Sequence, residues 1–118
     1  MTIVEPVGNT REAFASWPGS VEVIVADNGS TDGSAELAHT AGARVVLAAE
    51  RGYGAALQTG YAAAQAADLV YADADLTYDF QEGLQLLTTL HDHHADMVVG
   101  TRPRSDIEPG ATRSFSFR

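Results

Sequence analysis

The sequence predicts an α/β fold, a three-layer sandwich around a mostly parallel sheet. Short β-branched runs alternate with helix-patterned segments along the chain, and that alternation favours parallel strands joined by crossovers. Turn-forming clusters of Gly, Asn, Asp and Ser separate the segments. Acidic residues follow two of the apolar runs directly, at the sheet edge where open parallel sheets bind ligands.

Each element has its own signal. Val21 to Ala26 is short and β-branched, as a buried strand should be. The turn Asn28-Gly29-Ser30-Thr31-Asp32-Gly33 supplies helix-capping residues. A short helix is expected over Ser34–Ala41, closed by Gly42. Val45–Ala48 reads as the second strand, and Ala-rich Ala55–Ala67 as a helix. Leu69–Ala72 is expected to be the third strand. Phe80–His91 carries Leu84, Leu87 and Leu90 at helical spacing, and Met97–Val99 is expected to be the fourth strand. The opening reads as a strand over Thr2–Val4 and a stunted helix over Thr10–Ser16. One domain fits the length of 118 residues, with its core over 21–100 and a loop and tail over 101–118.

Composition removes several function classes. The net charge is −9, with seven Arg and no Lys, so polyphosphate backbones repel the chain and nucleic acid is excluded as a partner. Most of that charge is expected to be solvated surface. No cysteine is present, which removes disulfides and thiolate metal sites. A basic-then-apolar leader is absent, and no apolar run approaches the ~20 residues of a membrane span. The expected location is cytoplasmic, or peripheral at the inner face of a membrane.

The acids carry the chemistry. Asp27 closes the first clear strand; Asp73-Ala74-Asp75 closes the third. The expectation is that these three carboxylates share one rim of one sheet. Two carboxylates one residue apart can converge on a single hard cation, so Asp73 and Asp75 are expected to hold Mg²⁺ or Mn²⁺ together with substrate phosphates. Asp27 is expected to accept bonds from a ribose or base, leaving Asn28, Ser30 and Asp32 to cap the turn. Arg51 and Gly52 precede a helix N-terminus, which favours anions, and Arg51 could reach a diphosphate. His91, His93 and His94 are read as a solvated helix end. Trp17 and Phe80 are read as packing residues.

These same residues carry a family likeness. Val23–Gly33, VIVADNGSTDG, resembles the VIVVDDGSTDG signature of family 2 glycosyltransferases. GARVVLAAERGYGAAL over 42–57 is similar to the family's next block, and DADLTYD over 73–79 to its metal-binding motif. MVVGTR over 97–102 resembles the strand and turn that follow, and Ile107–Ala111 a segment of dolichol-phosphate-mannosyltransferase-like members that act on polyprenyl phosphates. Asn28 stands where the signature has a second Asp, and Pro6–Thr10 departs from the family's Pro-Ala-x-Asn-Glu opening.

The resemblance implies a GT-A, Rossmann-like fold of which this chain is the N-terminal, nucleotide-binding half. It implies an inverting transfer of a sugar from a UDP- or GDP-sugar to a polyprenyl phosphate or a glycan. It also implies the roles: Asp27 and Asp73 on the donor, Asp73 and Asp75 as catalytic metal ligands, and Arg102 facing phosphate groups; Asn28, Arg51 and Gly52 are further donor-binding candidates from their own positions. The acceptor half is expected to lie outside this sequence. Two alternatives stay open: a non-catalytic nucleotide-binding fragment, and a sugar-nucleotide nucleotidyltransferase. The latter needs a Gly-rich basic loop, and Glu5–Arg11 matches it poorly.

Overall fold

The computed structural model describes residues 3–74 and 79–100. Its elements are α1 (Val4–Ala13), β1 (Ile24–Asp27), α2 (Ser34–Thr40), β2 (Arg44–Leu47), α3 (Tyr53–Ala63) and α4 (Phe80–Asp92). β1 and β2 pair in parallel, with Ile24 opposite Arg44 and Asp27 opposite Leu47.

The strand side chains alternate between two helical layers, as the period of two requires. Val23, Val25 and Val45 pack against Val7 of α1, Ala38 of α2 and Ala43. Ala26 faces the opposite way: a Cβ built on Gly60 of α3 would stand 3.7 Å from its side chain. Helices therefore cover the β1–β2 pair on both faces, as the sequence predicts. A second cluster joins α1 to α4, with Ala13, Phe14 and Leu87 buried and Trp17, Phe80, Leu84 and Leu90 packed around them. Burying a leucine such as Leu87 stabilises by about 1.5–3 kcal/mol.

The opening departs from expectation. Residues 4–13 form one helix, where a strand to Val4 and a short helix from Thr10 are predicted. Pro6 does not prevent this, because first-turn N–H groups lack intrahelical acceptors. The first amide that bonds back is Val7, to the Ile3 carbonyl at 3.2 Å. Burial of Pro6 and Val7 then decides in favour of the helix.

The helix ends follow local chemistry. Asp79 caps α4 by accepting from the Gln81 amide at 2.9 Å. Gly52, at φ 122°, turns the chain into α3, a conformation closed to most L side chains. α3 stops at Ala63, four residues short of its predicted end, because Ala64 is extended and the Arg44 guanidinium takes the Ala63 carbonyl. Arg44 also pairs with Glu22 at 2.6 Å and holds that carboxyl below its ordinary pKa, chiefly through the hydrogen bond. One arginine thus ties the start of β2, the approach to β1 and the end of α3 together.

Two predicted strands do not form among the described residues. Leu69–Ala72 and Met97–Val99 join no ladder. Their β-branched and aromatic residues suit a strand, but a strand also needs a partner edge. Leu69, Val70 and Tyr71 are instead 44–54% exposed.

Candidate functional site

The carboxyl end of the β1–β2 pair is where the loops meet. Asp27 is the last residue of β1. Its two carboxylate oxygens accept from the Ser30 amide at 3.1 and 3.2 Å, so Asp27 itself organises the turn that Asn28, Ser30 and Asp32 were expected to cap. The reason is geometric: a carboxylate at a strand end lies over the amide three residues on. Asp32 caps locally, taking the Ser34 amide and hydroxyl, and those bonds hold its carboxyl below the usual range.

Asn28 points across the rim rather than into its own turn. Its side-chain amide donates to the Gly52 carbonyl at 3.0 Å. That bond joins two residues singled out in the sequence as donor-binding. Arg51, beside Gly52, is exposed.

Tyr53 continues the rim on the far side of Gly52. Its phenol lies beside the Asp73 carboxylate, and the residue stays 62% exposed. Desolvation and the neighbouring Asp73 push the phenol up to about 12. Tyr61 meets Tyr71 edge-on, with centroids 5.7 Å apart at 73°, and desolvation together with Tyr71 raises its pKa as well. The sequence shows these tyrosines but gives them no role. The available signals were Tyr53 at the mouth of a Gly-rich helix start and Tyr71 two residues before Asp73.

The line Asp27, Asn28, Gly52, Tyr53, Asp73 is therefore one connected edge built from three loops. Asp75 and Arg102 lie outside the described residues. Among the described residues, no three His, Asp or Glu side chains gather into a metal cage. Asp73 nevertheless offers carboxylate oxygen, the donor a hard cation prefers, and such a cation commonly takes one or two carboxylates plus substrate phosphates. Of the Asp-x-Asp pair, Asp73 alone is among the described residues, and its carboxylate has the chemistry that Mg²⁺ or Mn²⁺ prefers.

The histidines stay out of the rim. His91 contacts Asp68 at 2.9 Å and leans on Trp17, with ring centroids 5.9 Å apart. The Glu5–Arg11 segment is part of helix α1, so it forms no phosphate-cradling loop of the kind a nucleotidyltransferase needs. None of the helices among the described residues is long and apolar enough to cross a membrane.

Known proteins match in one direction. The model of the family described as "Glycosyl transferase family 2" matches residues 8–117. The low-salt glycan biosynthesis hexosyltransferase Agl6 of Haloferax volcanii is 39% identical over 90 residues, covering 76% of this chain and 22% of that protein. Glycosyltransferase AglJ of the same organism is 35% identical over 116 residues, covering 92% of this chain and 38% of AglJ. Protein RfbJ of Shigella flexneri is 32% identical over 109 residues, covering 86% and 84%. The chain thus spans well under half the length of the two Haloferax relatives. No solved structure is matched. With a family match over nearly its whole length, and the helical layers and parallel strand pair of a GT-A, Rossmann-like fold, the chain belongs to glycosyl transferase family 2.

Proposed function

We propose that this chain forms the donor-binding part of a glycosyltransferase that moves a sugar from a UDP- or GDP-sugar to an acceptor oxygen. The observation that carries the reading is the joined rim. Asn28 bonds to the Gly52 carbonyl, and the adjacent Tyr53 lies beside Asp73, so the loop after β1 and Asp73 share one edge.

In this reading Asp27 and Asn28 receive the nucleoside, and Arg51 and Arg102 face the diphosphate. Asp73 and Asp75 hold a divalent cation. When bound, that cation supplies charge neutralisation on the departing diphosphate. Tyr53, beside Asp73, is placed to donate to a carboxylate oxygen and so to orient it. The acceptor oxygen forms its bond to the anomeric carbon as the bond to the β-phosphate oxygen breaks, and in-line attack inverts that centre. A polyprenyl phosphate brings an oxygen that is already anionic and needs no strong base, whereas a glycan hydroxyl needs one. With a lipid-borne phosphate as acceptor, the chain works in this reading at the inner face of a membrane.

Release of UDP or GDP tests this directly. The chain is incubated with a panel of UDP- and GDP-sugars, Mn²⁺ and a short polyprenyl phosphate, and free nucleotide is followed. Metal-dependent release in wild type that Asp75→Ala lacks supports the proposal. Metal-dependent donor binding without release points to the non-catalytic alternative.

A further inference from the structure

The peptide that joins Asn28 to Gly29 can react with its own side chain. The side-chain carbonyl carbon of an asparagine is open to attack by the backbone nitrogen of the next residue, and a glycine there puts no side chain in the way. Both residues are exposed, in the turn that follows β1. Asp27 takes the Ser30 amide, whereas the Gly29 amide donates to no acceptor among the described residues. Gly29 has a φ of 88°, and a Cβ built on it would meet nothing within 4 Å. Its nitrogen is therefore unengaged, and the turn has room for a ring to close.

Asn9 is the internal contrast. It and Asn28 are the two asparagines of the chain. Asn9 lies inside helix α1, where the following nitrogen belongs to β-branched Thr10 and to the helical hydrogen-bond ladder.

We propose that Asn28 is a modification site, at which the chain deamidates itself through a cyclic imide and so releases the loop after β1 from Gly52. The Gly29 nitrogen gives up its proton and bonds to Cγ of Asn28. The Cγ–Nδ2 bond breaks, and Nδ2 leaves as ammonia with that proton. Water then opens the imide. Addition at Cγ, with cleavage of its bond to the Gly29 nitrogen, gives an aspartate. Addition at the backbone carbonyl carbon, with cleavage of that carbon's bond to the same nitrogen, gives an isoaspartate.

The nitrogen that leaves is the one that donates to the Gly52 carbonyl at 3.0 Å. Both products carry an ionised carboxylate in its place, which accepts hydrogen bonds and donates none. The junction between the two loops is thus lost, and the rim around Asp27 gains a negative charge. None of this chemistry depends on what the rim binds.

The test ages the full chain in mildly alkaline, ammonia-free buffer and follows peptide masses. Cleavage after Arg11 and Arg44 places Asn9 in residues 1–11 and Asn28 in residues 12–44, and neither peptide contains another amide side chain. The Asn28 peptide is expected to gain the mass of an amide-to-acid conversion at least about tenfold faster than the Asn9 peptide. Asn28→Gln, whose imide ring is larger by one carbon, should show no gain over the same time. The modified fraction, separated by anion exchange, should unfold at a lower urea concentration than the unmodified fraction. An Asn28 peptide that stays intact in the folded chain, yet gains mass when the chain is aged in urea, would show the fold protecting Asn28 and overturn the proposal. Equal rates at the two asparagines would do the same. So would a modified fraction that unfolds together with the unmodified one, because the bond to Gly52 would then not be what deamidation removes.

Discussion

The Asn28 side-chain amide donates to the Gly52 carbonyl at 3.0 Å, which fastens the loop after β1 to the loop after β2. Everything proposed for the donor site uses this junction, since Tyr53 and Asp73 continue from Gly52. Asn28→Ala removes one neutral hydrogen bond, so unfolding stability should fall by about 0.5–1.5 kcal/mol. Donor binding should weaken as well, because Gly52 is freed. Asn28→Asp should not restore either property, since a carboxylate cannot donate to a carbonyl. Urea titration and calorimetry of the three proteins check both effects.

Gly52 should resist substitution for a reason other than space. A Cβ there would meet nothing within 4 Å, but φ is 122°. Gly52→Ala is expected to cost about 1–3 kcal/mol of backbone strain. Gly54→Ala, which also meets open space but has no positive φ, should be neutral or stabilising within helix α3. Thermal unfolding of the pair separates conformational strain from crowding.

The α1–α4 contact predicts a large packing effect. Leu87 is 7% exposed and sits between Ala13 and Phe14. Leu87→Ala should destabilise by about 2–5 kcal/mol in denaturant titration, with exposed Leu37→Ala costing far less.

Tyr53 should ionise late. Its phenol is pushed up to about 12 in the folded chain, against 10.0 for an ordinary tyrosine. A raised folded pKa means that its stabilising contribution is complete below pH 10 and is lost as pH rises towards 12. Ultraviolet titration of the phenolates should show a late step that Tyr53→Phe removes. Retention of that step in the variant would assign it to another tyrosine.

Much of the frame was legible in the sequence. The order helix, strand, helix, strand around Asn28–Gly33 followed from β-branched runs and turn residues, and α2, α3 and α4 begin within two residues of their expected starts. Periodicity failed where partners decide. Leu69–Ala72 has strand composition yet joins no ladder among the described residues, and the opening became helix because α1 buries Pro6 and Val7. Side-chain roles were harder still. A carboxylate at a strand end looks the same in sequence whether or not it also takes a turn amide, as the Asp27 carboxylate takes that of Ser30. Tyr53 and Asp73 come together from twenty positions apart, so no local pattern announces the pairing.

The central claim is that Asp73 and Asp75 hold a divalent cation against a bound sugar nucleotide. Mn²⁺ titration followed by electron paramagnetic resonance measures it most directly, with UDP-glucose and GDP-mannose each present and absent. The account predicts that either nucleotide sugar's binding tightens with Mn²⁺ in wild type. It also predicts that Asp73→Ala and Asp75→Ala each weaken the bound-metal signal at least tenfold, as expected for loss of one of few ligands. Unchanged Mn²⁺ binding in both variants would contradict the account.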